Sequence, residues 1–206
     1  GDILDLSRVK AGKIQIVKQP FNLHDLLYSL GELFQPAAWQ SGILLTVSIE
    51  KDVPTFISGD EHRVLQIISN LLGNAMKFTK HGEVSLDVCR LPVHPEGIEC
   101  LLFMVTDTGS GISDQGVQSI FDPFVQAEGN CDTRKQGVGL GLSIVRGLVQ
   151  LMQGTLAVET EVGVGSTFAV CLPFERAMSE PMGASCTLSL AGRQVGSLKV
   201  LVVEDE

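Results

Sequence analysis

The sequence predicts an α/β domain, on three observations. Segments of helical and of strand periodicity interleave along the chain. The strand-type segments at 82–91 and 98–106, and again at 154–162 and 165–173, come as adjacent pairs joined by turn residues. Finally, 44% hydrophobic residues in a chain of 206 are enough for one good core.

The elements follow in order. Ile3, Leu6 and Val9 stand at helical spacing and the run stops at Gly12 with no helix start before it, so residues 1–12 read as the end of a longer helix. Residues 13–18 alternate Ile14 and Ile16 with polar neighbours and read as a strand; Pro20 and Asn22 then open a helix to about Gln40. Leu23, Leu26, Leu27, Leu30 and Phe34 form its inner face. Residues 43–50 read as a strand and 53–59 as a turn region. Asp60 is placed to cap the next helix, its carboxylate accepting a free N–H of the first turn. The pair at 82–91 and 98–106 is joined through Pro92, Pro95 and Gly97 and reads as antiparallel. A short helix at 113–121 precedes a polar segment, 122–136, poor in apolar residues, which reads as a mobile lid. An amphipathic helix at 142–153 and a closing hairpin complete the domain. From Glu175 to Ser197 the composition turns to Ser, Gly, Met, Pro and Ala without a period, as in a linker. Leu198 to Val203 reads as one buried-type strand ending in Glu204, Asp205 and Glu206.

Composition narrows the function. A net charge of −9 and a pI near 4.9 oppose a broad grip on nucleic acid or anionic lipid. The five cysteines are odd in number and lack Cys-x-x-Cys spacing, which opposes a disulfide frame or zinc site; Cys131, in the polar segment, is the one candidate for a modifiable thiol. No apolar run reaches the roughly 18 residues of a membrane span and no signal peptide opens the chain, so these residues are expected to be cytoplasmic.

Three blocks carry chemistry. On the helix after Asp60, Arg63, Gln66, Asn70, Asn74 and Lys77 fall on one stripe. An amide oxygen at Asn74 can anchor Mg²⁺ that shares its shell with phosphates, and Lys77 lies one turn further on; solvated positions on a surface helix are the plainer reading of this block alone. Asp107 ends an apolar strand, where its carboxylate needs a specific donor such as an adenine amino group, and Gly109 and Gly111 would let backbone approach a base; an Asx turn is the commoner fate of such a sequence. Gly137, Gly139 and Gly141 precede a helix whose free N–H groups attract phosphate, while their spacing is neither the dinucleotide fingerprint nor a Walker loop. Arg134 and Lys135 precede them and can contact phosphates or remain solvated. Together the blocks describe an ATP site.

In this order, over about residues 20–174, the blocks resemble the catalytic, ATP-binding domain of sensor histidine kinases, within the superfamily that includes gyrase, heat-shock chaperone and mismatch-repair ATPases. Residues 70–79 resemble its N box, 107–112 and 137–142 its first two glycine boxes, Phe121 to Phe124 its F box, and 163–168 its last glycine box. The resemblance implies a two-layer α/β sandwich of the Bergerat type, with a mixed, mostly antiparallel sheet covered on one face by helices and a mobile ATP lid. It implies that Asn74 holds Mg²⁺, that Asn70 and Lys77 assist at the phosphates, that Asp107 binds adenine and that Thr167 supports Asp107. Ile112, Phe124, Arg134, Lys135, Leu140 and Leu142 join Gly109, Gly111, Gly137, Gly139 and Gly141 around the nucleotide, with Phe121 and Phe124 packing at the base of the lid. Where water-using relatives typically carry a glutamate base, Asn70 stands here; an amide cannot take a proton at neutral pH, so hydrolysis should be slow. Val138 and Ser110 depart from the usual residues without removing a ligand.

The implied reaction is transfer of the γ-phosphoryl to a histidine on a dimerising two-helix hairpin, for phosphorelay in two-component signalling. The alternative is a degenerate nucleotide-binding or docking module without kinase activity. The implied layout is 1–12 as the end of the dimerisation helix, 13–174 as the catalytic domain, 175–197 as linker and 198–206 as the first strand of a receiver domain. The phosphoacceptor would lie upstream, and His24, His62, His81 and His94 lack its sequence context. Implied partners are the chain's own dimerisation and receiver domains, a second copy of the parent, and a downstream response regulator or phosphotransfer protein. Whether the parent is anchored in a membrane is left open.

Overall fold

The computed structural model describes Ser7 and residues 14–92, 98–125 and 139–176. The expected helix end (apart from Ser7), the 93–97 turn, most of the lid, and the linker and last strand beyond Arg176 lie outside the described residues.

The order is β1 (Gln19–Asn22), α1 (Leu23–Ser41), β2 (Ile43–Ile49), β3 (Phe56–Gly59), α2 (Glu61–Phe78), β4 (Gly82–Arg90), β5 (Ile98–Asp107), α3 (Asp114–Ser119), α4 (Gly141–Leu151), β6 (Thr155–Glu161) and β7 (Gly165–Arg176). The strands form one sheet in the order β1-β3-β7-β5-β4-β2, with β6 also on β7. Every ladder is antiparallel except β2 with β4, whose parallel register runs from Ile43 opposite Gly82 to Ile49 opposite Val88. A parallel pair needs a crossover, and β3 with α2 supplies it.

Alternation along β5 sets the layers. Leu101, Phe103, Val105 and Asp107 point into the buried layer, whereas Leu102 and Thr106 lie on the other, half-exposed face. Above the buried face pack Val64, Ile67, Ile68, Leu71, Leu72 and Ala75 of α2 and Ile144, Val145, Leu148 and Val149 of α4. Each fully buried side chain of this kind contributes about 1.5–3 kcal/mol over an exposed one. Phe103 and Phe174 meet edge-on across β5 and β7, with centroids 6.3 Å apart. Buried Glu99 is neutralised from β4 by Arg90, whose Nε lies 2.6 Å from Glu99 Oε2.

The helix ends follow the expected chemistry. Asn22 accepts from the Asp25 N–H at 3.1 Å and Asp60 from the Arg63 N–H at 3.1 Å. α1 stops at Gly42, which takes the left-handed conformation with φ of 66°.

Two expectations need correction. Residues 14–18 form no strand; the first strand is β1, one step later and including Pro20. Proline is tolerated because β1 is a sheet edge, where a missing N–H is not demanded by a second neighbour. The turn expected over 53–59 contains β3, held between β1 and β7 by backbone pairing rather than by a long apolar run. β7 also runs to Arg176, two residues past the expected boundary.

Candidate nucleotide site

Asp107 reaches the buried layer because it continues the inward alternation of Phe103 and Val105; it is only 6% exposed. Its Oδ1 accepts the Gly109 N–H at 2.8 Å, and the Ser166 backbone N–H also serves the carboxylate. Burial pushes its pKa above the ordinary value, and the two N–H groups only partly offset that. An ionised carboxylate has more acceptor lone pairs than these two donors use.

The glycines around it are fixed by close approach. A Cβ on Gly109 would come within 2.6 Å of the Phe78 carbonyl at the end of α2, and one on Gly111 (φ 64°) would overlap the Glu161 carbonyl. The loop is tied to the β6–β7 turn: the Gly163 N–H donates to Ser110 O at 2.8 Å and the Ile112 N–H to Thr160 Oγ1 at 2.9 Å. Ile112 packs half-buried against the core.

Thr167 does not do what the resemblance implied. Its register partner is Thr106, and the two hydroxyls lie 3.0 Å apart on the face away from Asp107. Ser166 is the residue opposite Asp107, and it supplies the supporting contact. The sequence signal that could have found it is the period of two itself, once the β5–β7 register is known.

The other end of the site is the start of α4. α1, α2 and α3 are capped by Asn22, Asp60 and Ser113, but α4 begins after Leu140 with no side-chain cap. Among the described residues no side chain takes its first N–H groups, the groups that attract an anion at a helix start. Leu140 is buried and Leu142 packs half-buried, which fixes this helix end on the core. Asn70 sits against it, its Oδ1 3.3 Å from where a Gly141 Cβ would stand. Asn70 and Asn74 are half-buried, one turn apart on α2. Lys77 Nζ lies 4.9 Å from the Phe78 ring centroid, so its ammonium caps that ring in this state.

Gly139 (φ 74°) accepts the Phe124 N–H at 3.0 Å and leaves no room for a Cβ beside Val125 O. Phe124 itself has φ of 66° and is largely exposed. Arg134, Lys135 and Gly137 lie outside the described residues.

The donor set suits a hard cation only in part. Among the described residues no group of three His, Cys, Asp or Glu could hold a metal ion. An Asn74 amide oxygen fits Mg²⁺ that takes its remaining ligands from phosphate and water. A separate groove of about 320 Å³ lies between Gln19–Phe21 and the start of α2 and is lined by none of Asn70, Asn74, Lys77 or Asp107. No helix among the described residues is long and apolar enough to cross a membrane.

Known proteins resemble this chain in sequence and in fold. The family model described as histidine kinase-, DNA gyrase B-, and HSP90-like ATPase matches residues 59–176, over half of the chain. The autoinducer 2 sensor kinase/phosphatase LuxQ of Vibrio cholerae is 36% identical over 99% of this chain and 24% of its own length. Hybrid signal transduction histidine kinase B of Dictyostelium discoideum is 36% identical over 84% of this chain and 9% of its own. The chain thus spans a quarter or less of these curated relatives. Among solved structures, full-length ShkA in complex with AMPPNP superposes with a TM-score of 0.74 at 35% identity, over 86% of this chain and 35% of that one. The catalytic domain of histidine kinase ThkA shares the fold, with a TM-score of 0.58 at 21% identity over 76% of this chain and 95% of that one.

Proposed function

This chain belongs to the histidine kinase-, DNA gyrase B- and HSP90-like ATPase family, and from that premise we propose that it binds ATP with Mg²⁺ and presents the γ-phosphoryl to a histidine on an adjoining dimerisation domain of its parent protein. The observation that carries the reading is the uncapped start of α4 set against Asn70 of α2, the same helix whose last carbonyl, at Phe78, meets the loop after the buried acceptor Asp107. In this reading Asp107 accepts from the adenine amino group. The α4 N–H groups and Gly139 to Leu142 receive the phosphates with Lys77 from the end of α2, and Arg134, Lys135 and Gly137 are the further phosphate contacts that the family resemblance implies. Asn70 and Asn74 orient the phosphate end, and Asn74 contributes an oxygen to Mg²⁺. The ion supplies charge neutralisation at the phosphates.

The chain's own residues then position rather than activate. Asn70 cannot serve as a base for water, so the bound nucleotide is held for another nucleophile. That nucleophile is a histidine imidazole, supplied from outside residues 14–176. The proposed layout places residues 1–12 at the end of the dimerisation helix and 198–206 at the start of a receiver domain, as in hybrid kinases of two-component signalling. The kinase relatives named above support it.

The test is calorimetric titration of ATP with Mg²⁺ into this chain, followed by labelled-phosphate transfer to the parent's histidine-bearing domain supplied in trans. Binding with transfer is the expected result. Binding without transfer would replace the kinase with a nucleotide-dependent module, and absence of binding would sink both.

A further inference from the structure

Thr160 lies on β6, outside every block that drew attention in the sequence, yet it joins three segments of the adenine end. Its Oγ1 accepts the Ile112 N–H at 2.9 Å from the glycine loop. It donates to Gly165 O at 3.0 Å, at the start of β7. It also lies 2.9 Å from Ser166 Oγ. A hydroxyl has one proton and two acceptor lone pairs. With the proton committed to Gly165 O and one lone pair to Ile112 N–H, the contact to Ser166 leaves Ser166 as the donor. Thr160 is then saturated, and the Ser166 hydroxyl keeps lone pairs alone for anything else it meets.

The consequence reaches Asp107 through the backbone. Ser166 stands directly opposite Asp107 in the β5–β7 register, and its N–H serves that carboxylate. Gly165 has φ of 141° and no space for a side chain beside the Asp107 carbonyl, so the start of β7 depends on outside bonds to hold its course. Thr160 makes those bonds on one side and fixes the 109–112 loop on the other. We propose that Thr160 is a positioning residue for base recognition: it sets the glycine loop and the Gly165–Ser166 backbone around Asp107, and thereby governs discrimination of adenine from other bases. The inference rests on the reading of Asp107 as the adenine acceptor.

Adenine presents an amino donor where guanine presents a carbonyl oxygen, so an accurately aimed carboxylate favours the first and repels the second. Thr160→Val keeps the side chain's shape and removes all three bonds. ATP with Mg²⁺ should bind roughly tenfold more weakly, and the preference for ATP over GTP should contract by a similar factor. Inorganic tripolyphosphate with Mg²⁺, which never meets the base pocket, should bind as in the wild type. Thr160→Ser should restore both the affinity and the preference. An unchanged ATP-to-GTP ratio in folded Thr160→Val, or an equal loss for tripolyphosphate, would overturn the role. A wild-type chain with no preference for ATP over GTP would instead overturn the reading of Asp107. Should Thr160→Val not fold, amide exchange in the wild type decides: the Ile112 and Ser166 amides should slow together on adding ATP, and fast exchange of Ile112 in the bound state would exclude the clamp.

Discussion

Replacing Asp107 by asparagine tests the adenine end with the least change of shape. The carboxylate is buried and already accepts the Gly109 N–H at 2.8 Å as well as the Ser166 N–H. An asparagine has one acceptor oxygen, and a buried N–H left without a partner costs free energy, so that oxygen stays with the backbone. The NH₂ group then faces the pocket, where the adenine amino group also donates. A charge-assisted hydrogen bond worth about 1.5–3 kcal/mol is lost, which corresponds to a roughly 10- to 150-fold weaker Kd for ATP with Mg²⁺. Preference for ATP over GTP should fall as well, because the new donor suits a carbonyl. Stability of the nucleotide-free chain should change little, since relief of the buried charge offsets the poorer bonding. Calorimetry beside thermal melting measures both. A folded variant that binds ATP within twofold of wild type would refute the assignment of Asp107 to the base.

Further outcomes follow from the same geometry. Asp107 has a raised pKa, so the native state holds its proton to higher pH than the unfolded chain does. Between the ordinary value of 3.8 and the raised one, the native state binds more protons, and the stability this group contributes falls as pH rises through that window. If Asp107 accepts from the base as proposed, affinity should fall as pH drops into the window, and titrations across pH should show this in wild type but not in Asp107→Asn. Gly165→Ala would drive a Cβ into the Asp107 carbonyl and should lose both melting temperature and ATP binding, whereas Gly163→Ala, with open space around it, should cost only about 1 kcal/mol of backbone strain and leave affinity intact. Equal effects of the two in melting and calorimetry would contradict the packing argument. Leu72→Ala, at a fully buried position on α2, should cost about 2–5 kcal/mol in urea unfolding; a loss below 1 kcal/mol would place Leu72 outside the core.

The parts legible in the sequence were those with a local cause. Asn22 and Asp60 announce their helices because capping needs an oxygen at one position. The β4–β5 pair and the β6–β7 hairpin follow from runs of strand-forming residues beside turn residues. The start of α4 is legible in a negative way: glycines and Leu140 stand where a capping side chain would be, which is what an open anion site requires. Illegible were features set by partners far along the chain. β3 is four residues long and exists because β1 and β7 flank it. Assigning support of Asp107 to Thr167 rather than Ser166 was an error of one residue, and in a strand one residue reverses the face.

The two ends of the site are built by different physics, and this bears on how the chain can work. At the adenine end, Asp107, Gly109, Thr160 and Ser166 are held by sheet register and mutual hydrogen bonds on β5, β6 and β7, elements that pack the core. At the proposed phosphate end, the α4 start is seated by buried Leu140, no side chain among the described residues caps it, and the Phe124 N–H bonds Gly139 O close by. Phe124 takes a left-handed conformation there, a geometry that costs a non-glycine residue about 1–2 kcal/mol and must be offset by what it anchors. On the proposed reading, base recognition therefore requires little reorganisation on binding, since the groups around Asp107 already hold one another. A phosphoryl-transfer site of the proposed kind gains from such a preformed base pocket, because alignment of the bound nucleotide is what the protein has to supply.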